Sequence, residues 1–477
     1  MDASLLIRPC LRFAVALAGA VLLSPDAFAM GKVNEQQTGR ITVQYWEKWT
    51  DFEGEAMQAV VDDFNKSQDR IFVEKLTVSE IDRKMMLATA GGNPPDIVGL
   101  WSFNVNVYAE KGALTPLDKY FAKSGIKEEE YIPVCWNLIH HRGFAWALPT
   151  TPATVALHWN KKMFRDAGLD PNKPPQSIAE LDAMAEKMTV VEVDRNGTRV
   201  RMPFTDLTAE ERASKKFTLI QLGFTPTEPG WWNHSLIYWF GGRHWDGDRK
   251  ITADAPANLA TIEWYGSYSQ KFGLENLRSF GSSFGNFSSP QNAFLAGKVA
   301  MVMQGVWMYN FISKFSPQLE WGAAPFPSID PETMPNVTIA ECDVLVIPKN
   351  ARHPDEAFEF MKFVNTQPEI EKLNMGQRKF SPRAVVSEEF IKQHPNPNIR
   401  MFIELARSTN ALAVPRIPVW NEYGDEQNVA YSRVFDQLMG PEEALADVQR
   451  RMQQKMDRYM RRWDRIKDGR LKEWSER

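Results

Sequence analysis

The stretch ITVQYWEKWTDFEGEAMQAVVDDFNKSQDRIFVEKLTVSEIDRKMMLATAGGNPPDIVGL, Ile41–Leu100, switches its hydrophobic period back and forth between two and near four. ITVQYW (Ile41–Trp46) alternates and reads as a strand, whereas EAMQAVVDDFN (Glu55–Asn65) sets its apolar residues at helical spacing. Ile71–Leu76 is a second strand. Ile81–Ala90 is a second helix, closed by the C-cap signal Gly91-Gly92. Asp96–Leu100 is a third strand, led in by Pro94-Pro95. Parallel strands cannot be joined by a tight turn, so the chain must cross back through a helix between them. Strand, helix, strand, helix, strand is therefore the order of a parallel α/β sheet.

The same grammar restarts downstream. TPATVALHWN, ending at Trp159-Asn160, is extended, and KKMFRDAG is a helix closed by Gly168. Ser177–Met188 is an amphipathic helix, with Ser177 as N-cap and Glu180 at the capping-box position. VVEVDRNGTRVRMPF turns at Asn196-Gly197 and reads as a hairpin. Residues 194–216 form a charged segment, expected to be a surface insertion. Val299–Met303 is a buried strand that stops at Gln304-Gly305, and a new helix begins at Trp307. Glu341–Pro348 is a further strand. Helices follow at Pro354–Val364, Phe402–Thr409 and Glu442–Tyr459. The tail, Arg461–Arg477, is polar and is expected to be a solvated helix or a frayed end.

The 477 residues are 43% hydrophobic and 24% charged, enough for two or three lobes with their own cores. A net charge of −4, with no Lys/Arg block, argues against a polyanion partner such as nucleic acid. Arg8 and Arg12 precede an apolar run, Phe13–Leu23, and then Ala27-Phe28-Ala29. That is a secretory signal over 1–29, cleaved before Met30, and it predicts a periplasmic, soluble product. Cys10 leaves with the signal; Cys135 and Cys342 then either pair or stay buried and free.

Catalytic and metal signatures are missing. The sequence has no Walker loop, HExxH or paired CxxC, and the adjacent His140-His141 do not share a helix face. Gly281-Ser282-Ser283-Phe284-Gly285 fits G-x-S-x-G, but no strand precedes it as a nucleophile elbow requires. No cofactor or metal is expected. What stands out is aromatic: 16 Trp against 11 Tyr. Trp46, Trp101 and Trp307 fall at strand ends, where open α/β sheets place their ligands. Trp231 and Trp232 form a further cluster near Trp239. Pyranose rings stack their C–H faces on indole and need polar partners for their hydroxyls. Glu47, Asn104, Glu341, Asp343 and Arg383 are candidates for those partners. Carboxylates at 341 and 343 favour a hydroxyl-rich or cationic ligand over an anion.

Several ordered motifs resemble one family. GGNPPDIVGLWSFNVNVYAEKGALTPLDKYF (Gly91–Phe121), LHWNKKMFRDAGLDPNKPPQSIAEL (Leu157–Leu181) and QNAFLAGKVAMVMQGVW (Gln291–Trp307) are followed by WGAAPFP, HPDEAFEFMKFV and FSPRAVV. In that order they resemble the extracellular solute-binding proteins of ABC importers, in the sugar-binding group that includes maltose-binding protein. The resemblance implies an α/β, two-lobed periplasmic-binding-protein fold. Each lobe is a mainly parallel sheet flanked by helices, and hinge strands cross between the lobes. Residues 30–149 plus about 341–384 would form the N-terminal lobe, and 150–340 plus about 385–477 the C-terminal lobe.

It further implies a cleft holding a sugar or polyol, with no reaction, and a monomer that docks on membrane permease subunits. By position, Trp46, Glu47, Trp101 and Asn104 would face the ligand from the first lobe, with Arg383 near a crossover. Trp231, Trp307 and Trp420 (or Tyr423, one turn on) would stack from the second. A polyamine-type or glycerol-phosphate-type carrier is the alternative. A secreted glycoside hydrolase using Glu341 and Asp343 is a more distant one.

Overall fold

The computed structural model describes residues 39–476; the predicted signal segment lies outside them. The opening stretch folds as its periods require: β1 (Ile41–Glu47), α1 (Asp51–Ser67), β2 (Ile71–Thr77), α2 (Ile81–Ala90) and β3 (Ile97–Trp101). β1 pairs in parallel with β2 on one side and β3 on the other. α1 buries Met57, Val60, Val61 and Phe64, spaced three, four and seven residues from the first. Each such side chain contributes about 1.5–3 kcal/mol on burial.

The second half contains β5 (Val190–Arg195) and β6 (Thr198–Pro203), then β7 (Thr218–Phe224) and β8 (Val299–Gly305). β7 and β8 are parallel. β5 and β6 form the expected hairpin, with Asn196 at φ 58° and Gly197 at φ 81°, the left-handed conformation a tight turn of this kind needs. The charged segment lies on this exposed edge. Its short helix, Ala209–Ser214, is opened by a capping box between Thr208 and Glu211.

Two long strands belong to both halves. β4 (Leu148–Asn160) and β10 (Thr338–Val346) lie antiparallel between β3 and β8. The first part of β4 pairs with β10; its last part pairs with β8 and with β9 (Trp321–Ala324). β10 in turn pairs with β3 at Asp343–Val346 and, in parallel, with β11 (Ala411–Leu412). The sheet order is thus β2-β1-β3-β10-β4-β8-β7-β5-β6. Its register slips between Asp343 and Val344, so the crossing strands carry an irregularity where the two halves join.

The tail departs from expectation in part. It is helical, one of the two forms expected, but it continues the preceding helix without a break over Pro441–Glu476, and its end is anchored at Trp463 and Trp474 instead of being wholly solvated. This single helix is preceded by α4 (Trp420–Phe435) and is here α5; α3 is Met308–Phe315. Leu445, Val448, Met452, Met456, Met460, Trp463 and Trp474 are its buried apolar stripe. The 36-residue helix is about 54 Å long. Its start packs on α4 and bonds the Ile251 and Ala253 amides through Gln453 and Gln449. Its end seats Trp474 edge-on against Trp146, 5.0 Å between ring centroids, and Phe144. Arg142 lies over the Trp463 ring at 4.2 Å, and Tyr459 donates to Glu110. A helix that begins on the second half therefore ends on residues of the first.

Cys135 and Cys342 are both buried and free. Burial, and then the neighbouring Cys135 thiol, push the Cys342 thiol up. Ser283 follows a helix, Leu274–Gly281, and no strand, so the nucleophile-elbow geometry does not form.

Candidate binding cleft

A cleft of about 590 Å³ opens where β3, β4 and β10 meet the end of β8, a size that suits a small-molecule ligand. Its floor is Thr151 and Ala153 of β4 with Glu341, Cys342 and Asp343 of β10. Glu341 and Asp343, two apart on a strand, share this face.

The first wall is built around Trp49, in the loop after β1. Its Nε1 donates to Asp343 Oδ2 at 2.8 Å. Lys48 Nζ lies 5.0 Å from the Trp49 ring centroid and Lys379 Nζ 4.6 Å, so the indole has two ammonium neighbours. Lys48 also pairs with Asp343 at 3.2 Å and lies 5.2 Å from the Trp101 ring. Lys379 pairs with Glu53 at 2.7 Å and reaches Asp343 at 4.0 Å. Burial pulls the Lys379 ammonium down, but Glu53, Asp343 and Glu47 outweigh it and the net shift is upward. Trp101 stands edge-on to Trp49 at 6.1 Å and stacks on Phe103 at 5.8 Å. Asp51, at φ 46°, completes the rim in a conformation that L residues seldom adopt.

The facing wall is a run of rings. Trp307 follows the Gly305 turn at the end of β8. A Cβ on residue 305 would lie 2.3 Å from the Trp307 ring, so the indole folds back over an α-carbon that only glycine provides. Trp232 leans on Trp307 at 5.5 Å and on Trp231 at 5.3 Å. Trp231, 45% exposed, meets Phe287 at 4.6 Å. α3 adds Phe311 and Phe315, and Asn310 and Lys314, each pair one turn apart on the helix.

Glu341 is half-buried on the floor. Burial first, and then the Asp343 charge, push its carboxyl up to about 7. Asp343 is held as an acceptor by Trp49, Lys48 and Lys379.

Of the residues singled out from sequence, Trp101, Trp231, Trp232, Trp307, Glu341 and Asp343 line this cleft. The others lie elsewhere. Glu47 is 2% exposed; its carboxylate accepts from the Lys48 and Trp49 amides and from Tyr45, shaping the loop from beneath. Alternation along β1 sends the half-buried Trp46 to the other face of the sheet. Asn104 is turned inward by the helical turn Ser102–Asn104. Arg383 pairs with Glu130 at 2.9 Å and covers Tyr131. Trp420 is buried against His234, His244 and Tyr423. Sequence reading missed Trp49, Phe103, Phe287, Phe311, Phe315, Lys314 and Lys379. The i, i+4 pair Phe311 and Phe315 directly after Trp307 was a usable signal; Lys379 had none.

Among the described residues no group of three or more His, Cys, Asp or Glu is placed to hold a metal ion. No described helix is long and apolar enough to cross a membrane.

Comparison with known proteins agrees with this architecture. The family model for bacterial extracellular solute-binding proteins matches residues 50–369. The maltotriose-binding protein of Pyrococcus abyssi is 21% identical over 341 residues, covering 70% of this chain and 65% of that one. The sn-glycerol-3-phosphate-binding periplasmic protein UgpB of Brucella suis is 26% identical over 180 residues, covering 36% of this chain and 40% of its own length. Among solved structures, CpMnBP1 with mannobiose bound superposes with a TM-score of 0.70 at 26% identity, covering 86% of this chain and 98% of that one. The sugar-binding protein MalE of Xanthomonas citri superposes at 0.68 with 19% identity, covering 88% and 98%, a likeness of fold.

Proposed function

Because this chain belongs to the bacterial extracellular solute-binding protein family, we propose that its cleft captures an uncharged sugar or related polyol and that the loaded protein delivers it to the permease of an ABC importer. One observation carries the reading. Two aromatic walls, Trp49–Trp101–Phe103 and Trp307–Trp232–Trp231, flank a floor of carboxyl groups. Indole faces suit the C–H faces of a pyranose, and carboxylates suit its hydroxyl edges. In this reading residues 1–29 export the protein to the periplasm, and it works as a monomer there.

The charges of the site support a neutral ligand. A phosphate ester needs several cations with capacity to spare. Lys379 is already paired with Glu53 and Lys48 with Asp343, which leaves Lys314, over the Phe315 ring, as the one cleft lysine with no carboxylate contact among the described residues. That counts against a glycerol-phosphate ligand. It also counts against glycoside hydrolysis, which needs two carboxyl groups free to act as acid and as base or nucleophile. Asp343 is committed to Trp49, Lys48 and Lys379.

The test is calorimetry of the mature protein against mannobiose, mannotriose, maltotriose and glycerol 3-phosphate. Micromolar binding, about −8 kcal/mol, is expected with a neutral oligosaccharide. Heat with glycerol 3-phosphate and with none of the sugars overturns the reading.

A further inference from the structure

Trp307 is held from outside the cleft by a chain of side chains that ends on a half-buried acid. Its Nε1 donates to Gln304 Oε1 at 3.2 Å. Gln304 Nε2 donates to Glu228 Oε1 at 3.3 Å. The same carboxylate oxygen accepts from Asn292 Nδ2 at 2.9 Å. Gln304 and Asn292 are both fully buried. Asn292 in turn is fixed by its Oδ1, which accepts from the Phe294 and Leu295 amides at 2.9 and 3.2 Å.

The polarity of this chain is set at one end. An indole N–H only donates and a carboxylate only accepts, whereas a primary amide does both. With Glu228 ionised, Gln304 must turn its NH₂ toward the acid, which leaves its carbonyl facing Trp307. If the acid were neutral or replaced by an amide, Gln304 would lose that constraint. A flipped Gln304 would present NH₂ to the indole N–H, donor against donor. Trp232 depends on the same anchor, because its buried Nε1 has no protein partner and its ring leans on Trp307.

We propose that Glu228 is a positioning residue for the ligand wall: its carboxylate orients the Gln304 amide, and that amide holds the Trp307 indole in place beside Trp232. The proposal rests on the reading of the cleft as a ligand site, but its first test needs no ligand. Glu228 faces the two amides of Asn292 and Gln304, and burial raises its carboxyl above the ordinary range. The other charged residue lining the cavity beside it is Arg278, which is tied to Glu275 at 3.3 Å and Asp436 at 3.0 Å. Across the cleft the titratable floor groups are Glu341 and Asp343.

The experiment uses the mature protein labelled with 5-fluorotryptophan. The fluorine resonance of residue 307 is assigned by its loss in Trp307→Phe. As pH falls and Glu228 takes up its proton, this resonance is expected to titrate in the wild type and in Glu341→Gln. In Glu228→Gln the titration is expected to vanish and the resonance to sit at a shifted position at every pH. Gln304→Leu is expected to displace it as well, which keeps the test open if Glu228→Gln fails to fold. A residue-307 resonance unchanged from wild type in either Glu228→Gln or Gln304→Leu, or a titration that survives Glu228→Gln, overturns the proposal.

In a second arm, mannobiose affinity is expected to fall about fivefold or more in Glu228→Gln, by loss of the oriented wall. Unchanged affinity for a sugar the wild type does bind overturns the functional half of the proposal. A wild type that binds no sugar overturns the reading of the cleft, while the fluorine arm still decides whether Glu228 positions Trp307.

Discussion

A single missing methyl group decides the shape of one cleft wall. With Gly305 replaced by alanine, the new Cβ meets the Trp307 ring at 2.3 Å, far inside contact distance, so the indole must leave its place. Overpacking of this kind costs about 1–3 kcal/mol, and Gly305→Ala is expected to lower both the melting temperature and ligand affinity. Thermal denaturation and calorimetry on the same sample check this. A second prediction concerns Glu341, whose carboxyl is pushed up to about 7 in the folded protein. The folded state then holds a proton that the unfolded chain has released. Stability from this group is therefore present at acid pH and lost as pH rises from the ordinary carboxylate range through about 7. Glu341→Gln is expected to raise the melting temperature near neutral pH and leave it unchanged at acid pH. The sequence displayed Trp101 and Trp307 because each ends a strand, a position with a general meaning. It did not display Trp49 or Lys379, because a loop residue and a distant lysine acquire their roles only when Asp343 comes between them.

At the scale of elements, the strands and crossover helices were legible wherever period and punctuation agreed. Ile41–Leu100 and the Asn196-Gly197 hairpin folded as read. The last helix was not, for a physical reason. Past Met460 its buried stripe thins to Trp463 and Trp474 among charged residues, so an average over the window reads as solvated. Two tryptophans three turns apart nonetheless anchor the end of α5. Trp474 is 3% exposed and packs on Trp146, Phe144 and Trp463. Trp474→Ala is expected to cost about 3–5 kcal/mol, read as a lower midpoint in denaturant. Asp464→Ala, which removes the exposed pair with Arg249, is expected to lower the midpoint far less. Equal effects of the two substitutions would mean that the end of α5 is held by charge and not by burial.

At the scale of the whole molecule, the two aromatic walls sit on different halves of one sheet. Trp49 and Trp101 follow β1 and β3; Trp307 follows β8; only β4 and β10 lie between. We propose that a ligand captured on one wall gains closer contact with the second when the halves rotate about those crossing strands. In that case the register slip at Asp343 and Val344 is where the rotation would be absorbed, and α5, seated on both halves, would move with it. Removing a ring from either wall should weaken binding by roughly tenfold to hundredfold, yet the two losses should differ in kind. With Trp101→Ala the first half loses its own contact, and capture itself is weakened. With Trp307→Ala capture on Trp49 and Trp101 survives, but closure brings less in return, so the closed population falls. Solution X-ray scattering with saturating mannobiose separates these cases. The wild type and Trp101→Ala are expected to contract on saturation, and Trp307→Ala to contract less at the same occupancy. Full contraction of Trp307→Ala would mean that this wall contributes to affinity without helping to drive closure, and absence of contraction in the wild type would remove rotation about β4 and β10 from the mechanism.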